Sequence, residues 1–177
     1  MNRTLARIIL ISAGFIWGSG FIINKMVLDH GWNDRELLFV RFFTATLAIF
    51  IFFFKRIMKT NKETIKSGLF LGIFLYLGFY FQTWGLVHTT ASNNALITAA
   101  YIFMIPIIVY IAERKHVKKQ TIFAGILVVL GISFISVDFK ELGIALGDLL
   151  TFIGAFFYAE AVKGADIVYT DVWVSMG

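Results

Sequence analysis

The sequence holds no cysteine and a single proline, Pro106, in 177 residues. Without cysteine there is no disulfide framework and no thiolate chemistry, and the redox compartment stays open. Charge is also scarce. Asp, Glu, Lys and Arg make up 15% of the chain, against about 25% in soluble domains. Such a composition excludes disorder, collagen and nucleic-acid tails. Apolar residues are abundant instead: they reach 59%, with 20 phenylalanines and 15 glycines. Mean hydropathy is +0.81. A soluble domain of this length leaves about 30% of its chain surface in water. It has nowhere to put this much hydrocarbon.

Cutting the chain at its charge clusters leaves six apolar stretches: Ile8–Leu28, Leu37–Phe54, Ser67–Val87, Ala91–Ala112, Thr121–Val137 and Ile144–Val162. Each approaches the roughly 20 residues that cross a bilayer as a helix. Backbone amides in hydrocarbon must be paired internally, so each stretch is a helix or part of a barrel. Barrel strands alternate apolar and polar residues. The runs "FLGIFLYLGFYF" and "GILVVLGISFISV" do not. The expectation is an all-α membrane protein, a polytopic bundle of about six transmembrane helices. Pro106 lies inside the fourth and should kink or locally unwind it.

The basic residues give an orientation. Arg3, Arg7, Lys55, Arg56, Lys59, Lys62, Lys66, Arg114, Lys115, Lys118 and Lys119 all fall on one side, against Arg35 and Lys140 on the other. The positive-inside rule places the N-terminus and the even loops in the cytoplasm, with the chain multi-pass in the cell membrane. The same bias explains the basic pI without nucleic acid, since these side chains suit anionic headgroups. The first apolar run is long for a secretory signal and lacks a clear cleavage site, so it reads as an anchor. The last residues, from Gly164 to Gly177, are too short and too charged for a seventh span and read as a cytoplasmic tail.

Polar and aromatic side chains inside the spans are the candidate site. Trp17, Gly20/Phe21 and Asn24 share one face of the first helix; Tyr76, Tyr80 and Trp84, with Gln82 nearby, line the third; Asn94, Thr98 and Tyr101 line the fourth. An amide in a membrane helix needs a partner, so these groups either join helices or line a polar cavity. Arg41 sits in the outer half of the second span. It either snorkels to the interface or holds an anion inside the bundle. Lys25 has the same two readings. If both face inward, the outer mouth is electropositive and suits a carboxylate. The candidate substrate-binding residues are Trp17, Asn24, Arg41, Tyr80, Gln82, Trp84, Asn94 and Tyr101. Asn93, after a short turn, is a candidate helix cap.

No enzymatic constellation, metal-ligand spacing or phosphate loop is visible, and no cofactor is implied. Gly14/Gly18, Gly68/Gly72 and Gly143/Gly147 have the small-xxx-small spacing of packed membrane helices. Asp148 falls in the first turn of the sixth helix, where a carboxylate suits the helix dipole.

Several strings occur in a familiar order: "GFIWGSGFIINK", "LLFVRFFTATL", "HTTASNNALITAAYIFMIP", the closing "ER" and "TIFAGILVVLGISFIS". This order resembles the EamA-like branch of the drug/metabolite transporter superfamily over about residues 9–137. The resemblance implies a five-helix repeat over 1–140, followed by the start of a second repeat at 141–163 and an atypical tail at 164–177. Such families pair two inverted repeats around a central cavity. The implied function is export of small metabolites or amino-acid-like compounds by alternating access. The partners are then the bilayer and a small-molecule substrate, with a second chain as one source of the missing repeat. A truncated or frame-disrupted chain is the simplest explanation of the early stop. A six-helix scaffold without transport is the rival. On this reading the first five helices form one bundle and the sixth packs loosely.

Overall fold

A computed structural model describes residues 3–113, 119–138 and 143–162. The tail at 164–177 and the basic residues Arg114, Lys115, Lys118 and Lys140 lie outside them. The described chain is almost entirely helical: α1 (Arg3–Asp29), α2 (Asp34–Ile57), α3 (Lys62–Val87), α4 (Ala91–Ala99), α5 (Tyr101–Glu113), α6 (Lys119–Ser136) and α7 (Leu146–Val162). A two-residue antiparallel pair, β1 (Val137–Asp138) with β2 (Gly143–Ile144), joins α6 to α7. Three helices are long and apolar enough to cross a membrane: Arg7–Asp29, Asp34–Ile57 and Lys62–Val87. The chain is an all-α membrane bundle.

Short polar connections set the helix starts. Gly31, at φ +95°, makes the turn after α1, a backbone conformation that side chains disfavour. Asn33 then opens α2. Its Oδ1 accepts from Arg35 N at 3.1 Å, and Glu36 Oε2 accepts from Asn33 N at 3.1 Å, a capping box. Asn61 caps α3 through Thr64 N at 2.8 Å. Thr90, not Asn93, caps α4: its hydroxyl accepts from Asn93 N at 3.1 Å. The expected cap therefore sits three residues too late.

The fourth span is two helices. The interruption falls at Ala100, not at Pro106, which lies inside α5. Ala100 N donates to Ile97 O at 3.1 Å, and Phe103 N donates to Ala100 O at 3.0 Å. These three-residue spacings tighten the chain locally. Pro106 lies inside α5 without interrupting it, so the expected break does not fall at the proline.

The core lies around α7. Its contact with α3 is the most extensive in the fold, followed by α4 and α5. Leu150, Ala155, Tyr158, Ala159 and Ala161 of α7 are all buried. The expectation of a loosely packed sixth span is thus overturned. Glycine is the physical reason. A Cβ on Gly147 would stand 2.6 Å from Gly85 O, and one on Gly154 would stand 2.8 Å from Gly78 O. The two helices touch backbone to backbone at two points seven residues apart. Tyr158 then covers Gly78, and its ring meets Phe79 edge-on at 5.2 Å. Gly14, Gly18, Gly68 and Gly72 have nothing within 4 Å, so those small-xxx-small motifs pack against no described residue. The apolar windows of α1, α2 and α3 are each only 6% buried. Side chains such as Phe15, Phe39, Phe52 and Phe70 present hydrocarbon outward, which suits lipid and not water.

Candidate functional site

A cavity of 530 Å³ opens between α1, α2, α3 and α4. From α1 come Ala13, Ile16, Trp17, Gly20, Phe21 and Asn24, recurring at helical spacing. Arg41 comes from α2, Phe79, Gln82, Thr83 and Leu86 from α3, and Asn94 from α4. Apolar residues, three of them aromatic, thus form most of the wall, with three amides, one hydroxyl and one guanidinium set into it.

Arg41 stands over the Phe79 ring, with Cζ 4.3 Å from the centroid, a cation–π arrangement. The guanidinium therefore points along the cavity wall toward α3. Among the described residues no carboxylate lies within ion-pair distance of it, the ion pair found there being Lys25–Asp29 at 3.3 Å. Lys25 also donates to Leu86 O at 3.1 Å. It is tied down at the mouth, leaving Arg41 as the cation that lines the cavity.

Behind the wall runs a buried polar network. Gln82 Nε2 donates to Thr98 Oγ1 at 2.9 Å, and Tyr158 OH donates to Gln82 Oε1 at 3.0 Å. Asn94 Nδ2 donates both to Gln82 O at 2.9 Å and to Thr151 Oγ1 at 2.7 Å. Thr151 Oγ1 in turn donates to Gly147 O at 2.7 Å. Both N–H groups of Asn94 are thereby used, and the amide cannot turn over without losing them. Its Oδ1 is buried and has no partner among the described residues. A buried acceptor left unpaired costs about 1–3 kcal/mol. Asp148, also buried, takes the Thr89 hydroxyl on Oδ1 and leaves Oδ2 unpaired among the described residues.

Of the eight candidates, Trp17, Asn24, Arg41, Gln82 and Asn94 line the cavity. Tyr80 and Trp84 do not. They stack along a different face of α3, Tyr80 lying 6.3 Å from Tyr76 and 6.0 Å from Trp84. Residues two apart on a helix are about 200° apart, so Gln82 and Trp84 cannot share a face. Tyr101 packs on the Tyr158 ring at 6.0 Å, outside the cavity lining. Sequence reasoning missed Phe79, Thr83 and Leu86. Their spacing from Gln82 (i−3, i+1, i+4) would have found them once Gln82 was taken as the inward residue.

These features define a class, a polytopic helical membrane protein with an intramembrane cavity carrying one cation and several amides. Residues 4–137 match the model of the EamA-like transporter family, and the chain belongs to that family. It is also 32% identical over 162 residues to an "Uncharacterized transporter" of Archaeoglobus fulgidus, covering 92% of this chain and 49% of the relative. The chain thus spans about half the length of that curated relative. No solved structure matches it.

Proposed function

We propose that the cavity is half of the substrate site of a transporter that exports small, amino-acid-like metabolites by alternating access. The observation that carries this reading is Arg41, a cation at the cavity wall with no carboxylate partner among the described residues. A planar guanidinium suits a substrate carboxylate, which it can hold through two parallel hydrogen bonds. Asn94 Oδ1, without a partner among the described residues, suits an N–H donor on the same molecule. Trp17, Phe21 and Phe79 supply the apolar wall that takes the rest. A volume of 530 Å³ lies in the ordinary range for small-molecule sites.

The site needs no covalent step. Membership of the family supports transport, and the double length of the relative supports a second five-helix unit that completes the wall. The excess of basic residues on one set of loops supports a cytoplasmic N-terminus.

Ligand binding tests the reading. The chain, purified in a neutral detergent, is titrated with α-amino acids, with their amides and with the matching des-amino acids. Quenching of tryptophan fluorescence is followed, with Trp17→Phe as the control. Amino acids should bind best, and the signal should vanish in the control. Amides binding as well as acids would sink the role of Arg41. Des-amino acids binding as well would sink that of Asn94.

A further inference from the structure

Tyr158 does not line the cavity, yet it holds two residues that do. It comes from α7 and is only 4% exposed. Gly78 makes room for it: a Cβ there would stand 3.0 Å from Tyr158 Cδ1, so the ring lies directly on the α3 backbone. From that seat it spans one turn of α3. Its ring meets Phe79 at 5.2 Å with an interplanar angle of 86°, and its hydroxyl donates to Gln82 Oε1 at 3.0 Å. Phe79 and Gln82 are three residues apart, share a helix face and both line the cavity. Phe42 of α2 meets Phe79 at 5.4 Å, again at 86°. The Phe79 ring is thus held in edge-to-face contacts from two helices, and the Arg41 guanidinium lies over it at 4.3 Å.

We infer, on the proposed role of Arg41 in binding a carboxylate, that Tyr158 is a positioning residue for that cation, acting through the Phe79 ring. A guanidinium makes two parallel bonds to a carboxylate only when its plane is aligned with the ligand. Among the described residues no carboxylate sets that plane; the aromatic face beneath it does. The tilt of Phe79 therefore sets the aim of Arg41. Phe42 follows Arg41 on α2 and moves with the cation, so it gives no independent reference. Tyr158 supplies one, because it ties Phe79 to α7. Its hydroxyl, bonded to Gln82, keeps the ring along the same turn of α3, while the ring is the link to Arg41.

Binding of an α-amino acid and of its amide tests this, compared across variants in one neutral detergent with the midpoint of thermal unfolding measured beside it. Wild type should favour the acid by about tenfold, the scale of one charge-assisted hydrogen bond. Tyr158→Leu removes the ring and should lower that ratio to about threefold, half of the same free energy. Tyr158→Phe keeps the ring and should stay within about twofold of the wild-type ratio. Gly78→Ala leaves Tyr158 intact but presses on its ring. It should lower the ratio as the leucine variant does, and it serves where that variant does not fold. Phe152→Leu, on the exposed face of α7, should leave the ratio unchanged. Lost packing alone would lower the unfolding midpoint and weaken acid and amide equally. A wild-type ratio in Tyr158→Leu or in Gly78→Ala therefore overturns the inference and leaves the role of Arg41 standing. So does a phenylalanine variant as unselective as the leucine one. A wild type with no preference for the acid overturns the role of Arg41 and the positioning role with it.

Discussion

Asn94 Nδ2 donates to Thr151 Oγ1 at 2.7 Å, joining α4 to α7 behind the cavity wall. This bond fixes how the two helices meet. Thr151→Val keeps the shape and removes the acceptor. It should destabilise the bundle by about 1 kcal/mol, read from the midpoint of unfolding in mixed micelles. Thr151→Ser should stay near the wild type. A valine variant as stable as wild type would remove the network from the account of the fold.

The backbone contact of Gly85 with Gly147 makes a second prediction. Gly147→Ala sets a Cβ 2.6 Å from Gly85 O, with the backbone of His88 equally close. Neither neighbour is a flexible side chain, so α3 and α7 must separate. Overpacking of this kind costs about 1–3 kcal/mol. Gly72→Ala meets nothing within 4 Å and should be neutral or stabilising by up to about 1 kcal/mol, since alanine is the better helix former. Thermal unfolding of the two variants in one detergent compares them. Equal behaviour would mean that α3 and α7 do not touch where described.

Topology gives a third. Reporter fusions after Lys62 and Lys118 should report the cytoplasm, and fusions after Asn33 and His88 the opposite side. The bias of Lys and Arg toward one set of loops is the cause. A Lys62 fusion found outside would invert the orientation.

The three long spans α1, α2 and α3 were legible because their apolar runs have about the length that a bilayer demands. The cavity was legible in part because amides are rare in lipid, and Asn24, Gln82 and Asn94 stand out in apolar runs. What remained hidden depends on pairing between distant segments. A three-residue stripe such as Tyr76, Tyr80 and Trp84 marks a face of α3 without saying which neighbour it meets. Gly78, Gly85 and Gly154 show no small-xxx-small motif, and the seven-residue match of Gly78/Gly85 with Gly147/Gly154 appears only when α3 and α7 lie side by side. Of the glycines in small-xxx-small spacing, Gly147 makes such a contact, while Gly14, Gly18, Gly68 and Gly72 touch nothing described. Nothing in the sixth span alone tells how closely it packs; its small residues let it settle against α3, α4 and α5.

The central claim is that Arg41 binds a carboxylate within the cavity. Its most direct test is the ratio of affinities for an α-amino acid and its amide, measured on wild type, Arg41→Lys and Arg41→Ala in the same detergent. The wild type should favour the acid by about tenfold, the scale of one charge-assisted hydrogen bond. Arg41→Ala should bring the ratio to about one. Arg41→Lys should fall between them if two parallel bonds are made and only one survives. A ratio that Arg41→Ala leaves unchanged would contradict the account, and Arg41 would then be a cation resting on Phe79 with no part in binding.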